Sequence, residues 1–310
     1  MKLHQLAALV SASESGSLRQ AAEKLRLSQP ALSRSIRELE AELGVKLLER
    51  TSLGVEPTAY GKALILRSKI VDSELRQAKD DIAQLRTATH GDLRVGATPL
   101  AAFSLLPVVL ARFRASRPHA RVSITDGMGS GLLNQLRQGD LDFVFGRIDE
   151  TIDRHEFNVD ILFHDSLVVI ARRTHPLART RTVGKTKWSD LEWVLPEGDS
   201  APRTAFQQAF YKLTGSAPRG TIESNSFMTM LTIISQTNLL GVAPHQILRV
   251  SWLQQEFDIL DLGLQFPTQP TGIIWRARST PSTITQYAMN ELRHAARQMK
   301  SVVRTRGKPR

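Results

Sequence analysis

The chain has no cysteine among its 310 residues, which excludes disulfides and thiolate-bound metals and is compatible with a reducing compartment. Long apolar runs are missing too. No segment approaches the ~18 uninterrupted apolar residues that a membrane span requires, and charges punctuate the first thirty residues, so neither insertion nor export is expected. The eight histidines are scattered, and no pair stands at helical ligand spacing beside a carboxylate. No metal or cofactor is therefore expected. Neither GxSxG nor HExxH occurs, and the Asp and Glu residues form no recognisable acid–base pair, so an enzyme is not expected. The string GSGLLNQLRQG, from Gly129 to Gly139, is rich in glycine but has neither GxGxxG nor the Lys-Ser/Thr of a phosphate loop, which argues against a nucleotide.

What is present is the composition of a folded protein of two or three domains, with 41% hydrophobic and 23% charged residues. The formal net charge of +11 invites a nucleic-acid reading, but its distribution does not carry one. Residues 293–310 hold seven basic side chains and no acidic one, whereas residues 1–62 hold nine Lys or Arg against seven Asp or Glu. Any case for DNA binding must rest on pattern.

Three periodicities divide the chain. Up to about Leu48 the apolar residues describe three short helices, with Leu3, Leu6, Leu9 and Val10, then Leu18, Ala21, Ala22 and Leu25, then Ala31, Leu32, Ile36, Leu39 and Leu43 on successive faces. Gly16-Ser17 separates the first two helices, with Ser17 as N-cap, and Ser28 can cap a third whose first turn tolerates Pro30. From Thr58 to Thr87 an uninterrupted helix is expected, about 43 Å long at 1.5 Å per residue. Leu64, Val71, Ala78 and Leu85 repeat every seven residues, with Ser68, Leu75 and Ile82 between them. A second copy would cover this stripe; packing on its own chain is the alternative. From Asp92 onward strands and helices alternate, with strands read at Asp92–Thr98, Arg121–Thr125, Asp142–Phe145, Asp165–Ala171, Glu192–Leu195, Thr221–Ser224 and Leu240–Ala243. That alternation predicts an α/β architecture with largely parallel sheets.

The most specific stretch is GSLRQAAEKLRLSQPALSRSIRELEAELGVKLLERT, Gly16 to Thr51. A helix that reads DNA anchors one face on its neighbour and offers short polar and bidentate groups on the other. Gln29, Ser33, Arg34 and Arg37 occupy such an outer face, and ERTSLGVEPTAYG can form a wing turned at Gly54, with Arg50 and Thr58 beside the duplex backbone. Glu38, Glu40, Glu42 and Glu49 lie near the same surface, where anions would oppose binding, so they are expected either to face away or to pair with Arg37 and Lys46.

This stretch resembles the winged helix-turn-helix of the LysR-type regulators, and VEPTAYG opening a long helix and LRVGAT opening the next domain extend the resemblance over essentially the full chain. It implies an α/β multidomain protein: a winged helix-turn-helix at 1–58, a linker or dimerisation helix at 59–90, and at 91–310 a two-lobed effector domain resembling type 2 periplasmic binding proteins. Lobe I would comprise about 92–164 and 272–299, and lobe II about 165–271. Gln29, Pro30, Ser33 and Arg34 would enter the major groove, with Ser17, Arg50 and Thr58 near phosphates. The implied partners are promoter DNA, further copies of the chain as dimer and tetramer, RNA polymerase and a small effector, in the cytoplasm.

Strand-end loops would line the cleft between the lobes, as open α/β sheets usually arrange. Those ends contribute Thr98, Pro99 and Leu100, then Gly129 and Ser130 at a helix N-terminus suited to an anion, and Arg147, able to grip a carboxylate or sulfonate. From the second lobe come Ser200, Ala201 and Pro202, then Ser224, Asn225 and Phe227, then Val242 and Pro244. Together they suggest a small polar or anionic organic effector.

Overall fold

In the computed structural model all residues are described except 53, 88–90, 104, 128, 180–190, 199, 220 and 307–310, and side chains are further left aside at 83–87, 99–100, 179, 248–249 and 300–306. The chain opens with α1 (Leu3–Ser15), α2 (Leu18–Lys24) and α3 (Gln29–Leu43). Ser17 caps α2 by accepting the Gln20 amide at 3.4 Å, and Ser28 caps α3 by accepting that of Ala31 at 3.3 Å. Ala8, Ala12, Ala21 and Ala22 let the three axes approach closely around Leu32 and Ile36. A hairpin follows, β1 (Leu48–Thr51) antiparallel to β2 (Gly54–Pro57), with Arg50 opposite Val55.

The hairpin lies against the turn between α1 and α2, where the Val55 amide donates to Gly16 O at 2.9 Å. Gly54 has φ 136°, and a Cβ there would stand 2.2 Å from the same carbonyl. Only glycine lets the ribbon come this near.

Helix α4 (Ala59–Thr87) leaves the hairpin as a single rod. Its seam divides between neighbours: Leu64 packs on the head beside Leu6 and Leu39, and Ser68 is buried, while Val71, Leu75 and Ile82 are exposed. The side chain of Leu85 lies outside the described residues.

Two five-stranded sheets follow. The first is built from β3 (Asp92–Ala97), α5 (Pro99–Phe103), α6 (Leu106–Ser116), β4 (Arg121–Asp126), α7 (Gly129–Gln138), β5 (Phe143–Arg147) and β6 (Phe157–Asp165). The chain then passes through Ser166 into the second, with β7 (Leu167–Arg172), β8 (Trp193–Pro196), α8 (Ala201–Thr214), β9 (Thr221–Ser224), α9 (Phe227–Gln236), β10 (Leu240–Pro244), α10 (Ser251–Glu256) and β11 (Phe257–Leu260). It returns in β12 (Gln269–Arg276) and α11 (Thr283–Arg306). Strand orders are β4-β3-β5-β12-β6 and β11-β7-β10-β8-β9.

Largely parallel sheets, expected from the alternation, are only part of the arrangement. Each sheet has four strands running one way and a single reversed one, β12 between β5 and β6 in the first sheet and β7 between β10 and β11 in the second, so half of the strand pairings are antiparallel. The reason is topological: β7 and β12 are the strands by which the chain enters a sheet after crossing, with no helical crossover to restore the common direction. The single strand expected at Asp165–Ala171 is likewise two, since Ser166 separates β6 in one sheet from β7 in the other.

Each sheet closes its own core. Phe113, Phe143, Phe145 and Ile273 fill the first, covered by Ile284 and Leu292 of α11. In the second, Trp193 stands 4.6 Å from Phe206 and 5.9 Å from Phe210 between ring centroids, and all three are buried. At about 1.5–3 kcal/mol for each large apolar side chain removed from water, such cores hold each lobe independently. The lobes meet through α5, whose Phe103 packs against Phe227 at 5.8 Å and joins the apolar cluster of Met230 and Leu231.

Candidate functional site

Two surfaces gather the residues singled out from the sequence. On the head, Gln29, Pro30, Arg34 and Arg37 are exposed along one face of α3, and Ser33 is half-buried beside them. Arg50 projects from β1, and Ser33, Arg37 and Arg50 line a groove of about 460 Å³ between helix and hairpin. Ser17 presents its hydroxyl at the start of α2. Thr58 is already engaged: its hydroxyl donates to Lys46 O at 2.7 Å and accepts the Gly61 amide at 3.0 Å, closing the first turn of α4.

Three of the four acidic residues near this surface are spent on neighbours, though not all as expected, while Glu49 is exposed and lines the groove beside Arg37 and Arg50. Glu38 pairs with Arg34 at 2.9 Å rather than with Arg37, because i,i+4 spacing puts those two on one strip of helix. Glu42 takes the N-terminal ammonium. Glu40 is buried; burial alone would raise its carboxyl, but Lys46 at 2.9 Å and the Leu47 and Leu48 amides at 2.9 and 3.3 Å outweigh it and hold the group below its ordinary value. On α3 itself the outer face is thereby left to its cations and polar groups.

The second surface lies at the strand ends of the first sheet. Thr98, Gly129, Ser130 and Arg147 come together around a pocket of about 200 Å³, whose apolar wall includes Leu133, Val144 and Ile274 and whose lining also includes Arg137 and Asp149. Thr98 follows β3, Arg147 ends β5, and Gly129 and Ser130 open α7, so three adjacent elements aim at one spot. The side chains of Pro99 and Leu100 lie outside the described residues.

In the second lobe Ser200 is the N-cap position of α8, Ala201 is exposed, and Pro202 is half-buried. Ser224 spends its hydroxyl locally, accepting the Ser226 amide at 3.1 Å, while Asn225 is exposed and Phe227 meets Phe103. Val242 belongs elsewhere: it is 3% exposed and packs with Trp193 and Phe206, because strand alternation turns it into the core. Pro244 ends β10, half-buried.

Buried polar atoms without a hydrogen-bond partner are costly, about 1–3 kcal/mol each, and therefore informative. Five of them belong to residues at these strand ends: Thr98 Oγ1, Arg147 Nε, Ser200 Oγ, Arg203 Nη1 and Gln246 Oε1. Arg203 and Gln246 were not singled out from the sequence. Arg203 stands in the first turn of α8, three residues after Ser200, with its other terminal nitrogen 2.8 Å from Glu223. An arginine at i+3 from a helix cap on a strand-end loop is the signal that could have marked it. Among the described residues no cluster suits a metal ion, and no helix is long and apolar enough to cross a membrane.

Comparison with known proteins covers both surfaces. Residues 3–62 match the family model for a bacterial regulatory helix-turn-helix protein, lysR family, and residues 86–297 match that of the LysR substrate binding domain. The HTH-type transcriptional regulator GbpR of Azospirillum brasilense is 28% identical over 96% of this chain and 87% of its own. An SDS degradation transcriptional activation protein of Pseudomonas sp. is 30% identical over 90% of this chain and 92% of its own. Among solved structures, full-length CbnR complexed with its target DNA superposes with a TM-score of 0.66 at 22% identity, covering 95% of this chain and 100% of that one, a likeness of fold.

Proposed function

The chain belongs to the LysR family of DNA-binding transcriptional regulators and is not an enzyme; from that premise we propose that a small polar or anionic organic compound, held between the two lobes, sets how it engages its promoter. The observation that carries this reading is the set of unpartnered polar atoms at Thr98, Arg147, Ser200, Arg203 and Gln246, drawn from both lobes. Two guanidinium groups among them favour an anion, and the apolar wall of Leu133, Val144 and Ile274 favours an organic one.

At the other end, α3 enters the major groove with Gln29, Pro30, Ser33, Arg34 and Arg37, while Ser17, Arg50 and the first turn of α4 at Thr58 run beside phosphates. Arg suits guanine and Gln suits adenine. The exposed stripe of Val71, Leu75 and Ile82 on α4 supports pairing with a second copy, which brings two heads to two half-sites in the cytoplasm. The working division of labour is a head at 1–58, a linker at 59–90 and an effector domain from 91. A footprint on the DNA upstream of its gene, at two salt concentrations, tests the DNA half. Two spaced protections lost in Arg34→Ala support it, and salt-sensitive coating without a preferred site overturns it. Screening carboxylates and sulfonates for a change in that footprint, lost in Arg147→Met, tests the effector half.

A further inference from the structure

Helix α7 has two ends, and both are committed. Its first turn lines the pocket through Gly129 and Ser130. Its last turn meets α4 and, through α4, the head. Lys69 of α4 is only 17% exposed, and its ammonium stands 3.2 Å from Gln138 Oε1 and 3.7 Å from Asp140 Oδ2 at the end of α7, and 3.1 Å from Glu14 of α1. One cation thus joins three parts of the molecule that are distant in sequence.

One to two turns further along the rod a second set of contacts does the same for α4 and the first lobe. Arg276, at the end of β12 and 8% exposed, donates to Leu136 O at 3.4 Å, to Ser73 Oγ at 3.2 Å and to Glu74 Oε1 at 3.3 Å. Arg76 donates to Gly139 O at 3.0 Å. Leu136 O, which also takes the Gly139 amide at 3.1 Å, and Gly139 O thus each accept from an arginine, and the partial negative charge at this helix end faces cations. Packing allows little slack: Gly139 has φ 81°, and a Cβ at that position would lie 2.6 Å from Ser73 Cβ and 2.8 Å from Arg276 Nη1.

We propose that Lys69 and Arg276 are positioning residues that lock the DNA-reading head to the first lobe at the C-terminal end of α7. The lock goes beyond the DNA and effector reading. Only its connection to the pocket rests on that reading, since the same ten-residue helix spans the distance between the two. Ion pairs on a surface contribute little, but the two cations are themselves largely desolvated, at 17% and 10% side-chain exposure, and each closes contacts between separate elements, so removing a partner leaves a mostly buried cation under-satisfied.

The absence of cysteine allows a direct test. His4→Cys on exposed α1 and Val108→Cys on exposed α6 accept spin labels, and dilution with unlabelled protein isolates the distance within one chain of the full-length, DNA-free regulator. The parent should give one narrow distance. Lys69→Met should lose that peak and Lys69→Arg should restore it, which a general loss of folding would not do. For Arg276, which is buried, the paired change Ser73→Ala with Glu74→Ala removes its partners on α4 while leaving the lobe intact, and should also broaden the peak. A narrow, parent-like distance in Lys69→Met overturns the role of Lys69, and the same result in the paired variant overturns that of Arg276. A parent that protects no operator, with the peak still lost in Lys69→Met, would sink the DNA reading and keep the lock; a parent with a normal footprint and an unchanged peak in Lys69→Met would do the reverse.

Discussion

Glu40 accepts the backbone amide of Leu47 at 2.9 Å, across the turn that leads from α3 into the hairpin. Leu48 and Lys46 bind the same carboxylate, so the helix that carries Arg34 and Arg37 and the strand that carries Arg50 are fixed to one another by a single buried side chain. The angle between helix and wing is what a two-pronged grip on DNA depends on.

Glu40→Gln should therefore weaken both stability and operator binding. A glutamine keeps one acceptor oxygen and loses the charge that Lys46 and two amides were arranged around, a cost of about 1–3 kcal/mol for a buried charge-assisted set. The acid dependence should change as well. A carboxyl held below its ordinary value stabilises the native state above the unfolded pKa of about 4.3, and that contribution is lost as pH falls through the lower folded value. Urea unfolding of the parent and variant along the acid limb checks this: the variant should show the shallower loss, and parallel curves would refute the assignment.

Much of this arrangement was legible in the residues. The caps at Ser17 and Ser28, the outer face of α3 and the rod of α4 follow from local spacing alone, which is why they stand where the pattern puts them. The convergence of Thr98, Ser130 and Arg147 was readable because strand ends of parallel sheets point one way. What was not readable depends on contacts distant in sequence. Strand β12 inserts antiparallel between β5 and β6, more than a hundred residues after β5, and no local period announces it. Val242 was drawn to the cleft by position along the strand, whereas the alternation of faces sends it into the core. Lys69 and Arg276 are single polar residues whose meaning appears only when α4, α7 and β12 are side by side.

Glu38→Gln should raise affinity for random DNA and lower the ratio of specific to nonspecific binding. In the free protein Arg34 is held by Glu38 at 2.9 Å, so any phosphate must displace that carboxylate, whereas a base edge in the right register can offer two acceptors in return. Filter binding to operator and to competitor DNA at two salt concentrations separates the two affinities. Equal ratios in parent and variant would show that the pair is a bystander.

Arg147→Met should raise the melting temperature of the effector domain while abolishing any response to an effector. The Nε of Arg147 is buried without a partner, and methionine fills similar space beside Val144 and Ile274 without a polar atom to desolvate. Sites kept for a ligand are commonly strained in its absence, and relieving the strain stabilises the empty protein. A lowered melting temperature would mean that the guanidinium has a structural partner and is not held for a ligand.

Acidification should destabilise the second lobe through His175. Its ring is 5% exposed, Nδ1 accepts the Leu177 amide at 3.1 Å, and Nε2 lies 3.0 Å from Asn238 O. The Leu177 amide can only donate, so the neutral tautomer carries its proton on Nε2 and gives it to Asn238. A second proton would have to sit on Nδ1, in place of that accepted bond. Burial, with a smaller contribution from Arg172, pushes the imidazole below its ordinary value, although the Asn238 carbonyl opposes the shift. A base with a depressed folded pKa binds fewer protons in the native state than in the unfolded one, so stability is complete above the unfolded value of about 6.5 and falls as pH drops below it. The slope cannot exceed about 1.4 kcal/mol per pH unit for one proton. His175→Gln should flatten the profile between neutrality and mild acid, at some cost in stability at neutral pH, where glutamine satisfies one of the two bonds rather than both. Denaturant titrations across that range, followed by tryptophan fluorescence in a Trp275→Phe background that removes the tryptophan of the first sheet, report on this lobe, and a slope unchanged in the variant would assign the acid sensitivity to another group.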